Sequence, residues 1–137
     1  VSHQPTDLLS WADEIIVLEK GKIVQQSDPQ KIYRYPVNEY TAALFGTYNV
    51  FTPALAKAFN SFARNYNPQL HHFVRPEQII ITGMLQGVKA VVKKIDFMGS
   101  FNQIESAVAG SSMLAYTTKW YAPGDVIFVS IDFENGD

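Results

Sequence analysis

Val126-Ile127-Phe128-Val129-Ser130-Ile131-Asp132-Phe133 decides the fold class of this 137-residue chain. Ile127, Val129, Ile131 and Phe133 alternate with Phe128, Ser130 and Asp132. That two-residue period is the pattern of a half-buried β-strand. Moving towards the N-terminus, Met113–Trp120, Phe101–Ala109, Val88–Phe97, Ile79–Ile81 and Phe73–Arg75 are further β-rich runs. Gly83, Gly87, Gly99, Gly110 and Pro123-Gly124-Asp125 punctuate them. Short strands separated by such turns predict a small β-barrel or sandwich over residues 71–137.

The first third reads differently. Pro5 suits a first helical position, and Leu8, Trp11 and Ala12 follow at helical spacing, predicting a short helix over 5–13. Glu14–Leu18 and Lys22–Gln26 flank Lys20-Gly21 and predict a β-hairpin. Asp28 before Pro29 is a helix start, and Pro36 ends that helix. Asn38 caps the next one, which runs to about Phe45 with Gly46 as its stop. Residues 1–46 therefore form an α-plus-hairpin segment and 47–70 a connecting segment. Within the latter, Phe51, Leu55, Phe59 and Phe62 fall on one face of a possible helix, with Pro53 in its first turn.

Composition narrows the function classes. Eleven basic and thirteen acidic residues leave a net charge of −2. Residues 1–46 hold four basic and six acidic residues, and 47–137 hold seven of each. A polyanion-binding surface would need clustered Lys and Arg, so a nucleic-acid partner is not expected. The chain has no cysteine, which excludes a disulfide framework and thiolate metal sites. No apolar run reaches the ~18 residues of a membrane-spanning helix. Val1-Ser2-His3-Gln4 has neither an initiator Met nor a signal-peptide pattern, and reads as a cut inside a longer protein.

The order of these motifs resembles one family. Val1-Ser2-His3-Gln4, Leu8-Leu9 and Ala12–Leu18 resemble the end of an ABC ATPase domain, from its switch-loop His onward. Lys20-Gly21-Lys22-Ile23-Val24-Gln25 is similar to the family's Gly-Lys-Ile-Val hairpin. Asp28–Pro36 is similar to its Thr-Pro-x-x-Ile-Tyr-x-x-Pro helix. Val74-Arg75-Pro76-Glu77, Asp96-Phe97-Met98-Gly99-Ser100 and Pro123-Gly124-Asp125-Val126 resemble a subgroup: importer ATPases for polyamines, ferric iron, sulfate and maltose. In that subgroup the β region is the OB-like TOBE domain. Each motif alone is weak; their order is what is specific.

The resemblance carries expectations. It makes His3 the switch histidine that contacts the γ-phosphate in the parent subunit. Gln4 stands where the family usually has Asp, so a charge is lost there. No Gly-x-x-x-x-Gly-Lys-Ser/Thr loop occurs in these residues, so this chain by itself is not expected to be an enzyme or to hold a cofactor. ATP and Mg belong to the full-length parent. The parent would dimerise through its C-terminal domain, work with membrane permease subunits and lie in the cytoplasm against the inner membrane. The function implied is a regulatory or dimerisation portion of an importer's ATP-binding subunit. The alternative is a sensor that binds a small oxyanion or a regulatory protein and inhibits transport.

Individual residues are weighed against simpler roles. Arg75 and Glu77 would share a face on a strand and are candidates for a ligand or interface contact. A structural ion pair beside Pro76 ranks above anion recognition. His71 and His72 would point to opposite faces, a poor metal pair. Lys89, Lys93 and Lys94 are the basic cluster an OB-type nucleic-acid binder would use, but with Asp96 next to them a solvated strand face ranks first. Trp120-Tyr121 suits burial at an interface better than stacking on a ligand.

Overall fold

The structure is a computed structural model that describes residues 5–59, 72–83 and 87–132. It divides into two compact units, 1–48 and 49–137.

In the first unit a 3-10 helix, Pro5–Ser10, occupies the start of the stretch expected to be a helix over 5–13. Strands β1 (Ile15–Glu19) and β2 (Lys22–Ser27) pair antiparallel across Lys20-Gly21, where both residues have positive φ, 52° and 77°. That is the two-residue turn whose twist matches a hairpin. Helix α1 (Pro29–Arg34) starts as expected, with the Lys31 N–H donating to Asp28 Oδ1 at 2.9 Å. Helix α2 (Glu39–Leu44) starts on Asn38, whose Oδ1 accepts from the Thr41 N–H at 2.9 Å. Each cap satisfies a backbone donor that the first helical turn leaves open. Ile15, Val17, Ile32 and Phe45 form the small core beneath the hairpin.

The second unit is mainly β. Strand β3 (Asn49–Phe51) pairs antiparallel with β4 (His72–Val74), and α3 (Pro53–Ala58) follows β3. Strands β5 (Ile79–Thr82), β6 (Val88–Phe97), β7 (Asn102–Val108), β8 (Ser111–Thr117) and β9 (Val126–Ile131) form one antiparallel sheet in the order β5-β9-β6-β7-β8. The end strands β5 and β8 come near each other without a hydrogen-bonded ladder among the described residues, so this sheet is curled but not closed into a barrel. Strand β8 stops at Thr117, short of the expected Trp120.

The described part of the stretch 47–70, residues 47–59, departs from the expected helical face. Phe51 sits on β3, Leu55 on α3 and Phe59 just past it, yet all three are fully buried in one core with Val74, Ile104 and Val108. Phe51 and Phe59 meet with ring centroids 5.3 Å apart. The helix begins later than the apolar spacing suggests because Thr52 accepts from the Leu55 N–H at 3.3 Å and Pro53 takes the first helical position. Phe62 and the rest of the expected helix lie outside the described residues, as does Phe133.

Two local features of this unit set up measurable effects. Ala109 and Gly110 make the β7–β8 turn with φ of 49° and 80°. An alanine in the left-handed region carries a steric penalty that Asn and Gly tolerate. Ala109→Asn is therefore expected to raise stability by about 0.5–1 kcal/mol, read from urea midpoints. Ser106 points inward on β7 beside Ile104 and Val108, 3% exposed, and its Oγ has no hydrogen-bond partner among the described residues. A buried hydroxyl left unpaired is costly, so Ser106→Ala is expected to be neutral or stabilising by up to about 1 kcal/mol. A loss of more than 1 kcal/mol in calorimetry would reveal a partner for that hydroxyl.

Candidate functional site

The candidate site grows from the end of β4. Pro76 cannot donate to a ladder, so the strand breaks there and Pro76–Gln78 forms a single 3-10 turn before β5. Gln78 closes the turn on itself. The Arg75 N–H donates to Gln78 Oε1 at 2.8 Å, and the Gln78 N–H donates to the Arg75 carbonyl at 2.9 Å. The Gln78 carbonyl then accepts from the Asp132 N–H at 2.8 Å, which ties the turn to the end of β9. The turn itself lies against β8.

This geometry separates the two candidate residues. Arg75 is 1% exposed, the largest fully buried side chain, whereas Glu77 is exposed. They do not share a strand face, because the backbone between them is a turn and not a strand. Arg75 is the buried residue at the start of the turn, and Glu77 is the part that solvent meets. His3 lies outside the described residues.

Two side-chain amides that the sequence reading passed over organise the neighbourhood. Asn49, 5% exposed, clamps the backbone of β8: its Nδ2 donates to the Leu114 carbonyl at 2.8 Å and its Oδ1 accepts from the Leu114 N–H at 2.7 Å. It thereby fills part of the outer edge of an end strand, an edge that would otherwise offer itself to another chain. Gln78 is the second. An Asn at the start of a short β-rich run and a Gln two residues after Pro76 are weak signals. Their importance comes from partners far along the chain.

The remaining candidates separate by environment. β6 carries a bulge between Val92 and Lys94. Lys93 Nζ lies 3.6 Å from Glu105 Oε2 and donates to Ser112 Oγ at 2.8 Å; Lys94 Nζ lies 3.5 Å from Asp96 Oδ2. These exposed lysines are engaged with their own neighbours. The Gly124 N–H donates to the Val92 carbonyl at 2.7 Å, and Asp125 Oδ2 accepts from the Ala122 N–H at 2.8 Å. The Pro123-Gly124-Asp125 turn is thus bolted to β6 next to the bulge. Trp120 is 65% exposed, while Tyr121 packs against the core. His72 sits on β4, and His71 is outside the described residues. No group of three His, Cys, Asp or Glu that would hold a metal occurs among the described residues. Nor is any helix among them long and apolar enough to cross a membrane.

Comparison with known proteins gives this architecture a context. Residues 73–136 match the TOBE domain family. An uncharacterised ABC transporter ATP-binding protein of Sinorhizobium fredii is 30% identical, over 84% of this chain and 32% of its own length. The Fe(3+) ions import ATP-binding protein FbpC of Serratia marcescens is 31% identical, over 81% of this chain and 35% of its own. The spermidine/putrescine import ATP-binding protein PotA of Clostridioides difficile is 29% identical, over 87% and 38%. The chain spans about a third of the length of these curated relatives. The similarity to ABC importer ATP-binding subunits was the resemblance read from the motif order, and the mainly β, OB-like fold agrees with it.

Proposed function

From a chain whose residues 73–136 are a TOBE domain, and which resembles importer ATP-binding subunits over most of its length, we propose that it serves as the regulatory and dimerisation portion of such a subunit. Residues 1–46 would belong to the ATPase domain. His3 would contact the γ-phosphate there, with ATP and Mg held by the remaining length of the subunit. The subunit would work with membrane permease partners on the cytoplasmic side of the membrane, coupling hydrolysis to solute uptake.

One observation supports a scaffold over a ligand sensor: Arg75 is buried, at 1% exposure. An oxyanion would have to displace that packing to reach the guanidinium, and a site built for anions presents its donors to an opening. Glu77, exposed on the same turn, carries the wrong charge for an anion and the right exposure for an interface.

Sedimentation and thermal-shift measurements on the purified chain test this reading. The expected result is reversible self-association that strengthens with concentration, together with a flat response to oxyanions, polyamines and divalent metals. A specific ligand raises apparent stability by mass action, by about 2.7 kcal/mol at a hundred times its Kd. A large, selective rise in Tm with one anion in a strictly monomeric protein would replace the scaffold reading with the sensor reading. The same preparation is expected to show no ATP hydrolysis.

A further inference from the structure

The boundary between the two compact units falls at one peptide bond, between Tyr48 and Asn49. Both residues are fastened, each within its own unit. Helix α2 ends at Leu44, and Gly46, at a φ of 138°, lets the backbone turn where a side chain would be strained. From there the Tyr48 side chain reaches the first residue of that helix, its hydroxyl donating to Glu39 Oε2 at 2.9 Å. One residue later, Asn49 holds both backbone groups of Leu114 on β8. The two anchors differ in kind. Asn49 makes two bonds and is buried, whereas the Tyr48–Glu39 bond is a single one and exposed. A lone exposed bond contributes modestly, because water competes for both partners. The anchor on the first unit therefore opens more readily than the anchor on the second.

We propose that the Tyr48–Glu39 bond is a latch that sets the length of free chain at this boundary. Closed, it leaves none: the backbone passes from the structure of one unit directly into that of the other. Open, it releases residues 46–48, about 10 Å of extended chain, while Asn49 stays in place. A strain on α2 is passed along the chain to β3 in the closed state and absorbed by the freed residues in the open one. The proposal goes beyond the importer reading and does not depend on it, since every residue it uses lies in this chain.

Amide hydrogen exchange on the whole chain tests the latch. Tyr48→Phe keeps the ring and removes only the hydroxyl. Glu39→Asp keeps a carboxylate at the helix start, where it is favourable, but is one methylene short of the bond. Each is expected to raise exchange at residues 46–48 about two- to tenfold, the effect of losing one hydrogen bond on a local opening. The two together are expected to give no more than either alone, because both remove the same bond. Glu39→Gln keeps an acceptor at the same reach and is expected to hold exchange near the rate of the unaltered chain. The Leu114 amide, held by Asn49, is expected to keep its rate in every variant. Gly46, Thr47 and Tyr48 have further partners as well. If those hold the segment, exchange in Tyr48→Phe stays within about twofold of the unaltered chain, and the proposal is overturned. It is overturned too if the double variant shows the product of the two single effects, since Tyr48 and Glu39 then act independently. A rise at Leu114 matching that at Thr47 would mean that the variants loosen the second unit, and would also overturn it.

Discussion

A chain that starts at residue 71 is expected not to fold cooperatively, whereas one that starts at residue 47 is expected to give a single sharp unfolding transition. The reason is where the core lies. Phe51, Leu55 and Phe59 are fully buried among residues of the five-stranded sheet, although they precede its first strand by twenty residues or more. Removing a buried Phe costs about 3–5 kcal/mol and a buried Leu about 2–5 kcal/mol. Domains of this size have about 5–15 kcal/mol of net stability. Loss of all three is comparable to the whole of what such a domain has to give. The same truncation strips β4 of its partner β3 and frees the Leu114 backbone from Asn49. Phe51→Ala in the complete chain isolates one part of the effect and is expected to lower stability by about 3–5 kcal/mol. Asn49→Ala removes the partner of two part-buried backbone groups of Leu114 and is expected to cost about 1–3 kcal/mol. Chemical denaturation checks each. A chain beginning at residue 71 that unfolds with an unchanged midpoint would show that residues 49–59 are an accessory and not part of the core.

Arg75→Ala is expected to be the most damaging substitution at the candidate site, by about 3–4 kcal/mol. It removes the largest fully buried side chain and so leaves a cavity. It also removes a buried charged group, and changes at buried charged groups are among the costlier ones a protein suffers. Arg75→Met keeps most of the volume and is expected to cost about half as much. Glu77→Ala, at an exposed position, is expected to change monomer stability by less than about 0.5 kcal/mol. The comparison separates roles. If the turn supports an interface, Glu77→Ala weakens self-association without touching stability, and Arg75→Met weakens both. An Arg75→Ala chain of unaltered stability would show that the guanidinium is not built into the fold and would restore it as a free ligand-binding group.

Much of the fold was legible because its determinants are local. Asp28 before Pro29 and Asn38 before Glu39 mark helix starts, since a cap and the N–H it satisfies are three residues apart. The ladder from β6 to β9 was legible because alternation records one buried face. The Lys20-Gly21 turn was legible because a hairpin asks for residues that accept positive φ. The motif order, which points to importer ATP-binding subunits, is also a property of the sequence alone.

What the sequence left open is what depends on distant partners. A spacing of four between Phe51, Leu55 and Phe59 suits one helix face, but a strand, a Thr52 cap and a short helix bring the same side chains to the same core. The residues needed to choose between these lie on β4, β7 and β8. Arg75 and Glu77 looked like strand neighbours because a two-residue spacing implies one face, and only the turn around Gln78 puts one inside and the other outside. Asn49 has only a weak local signal, since its partner Leu114 is 65 residues away. Sequence by itself determined the element types, the caps and the family resemblance, because short-range hydrogen bonding and side-chain period encode them. Tertiary structure decided which residues share a core and which face stays open, because those are set by burial against residues that only folding brings near.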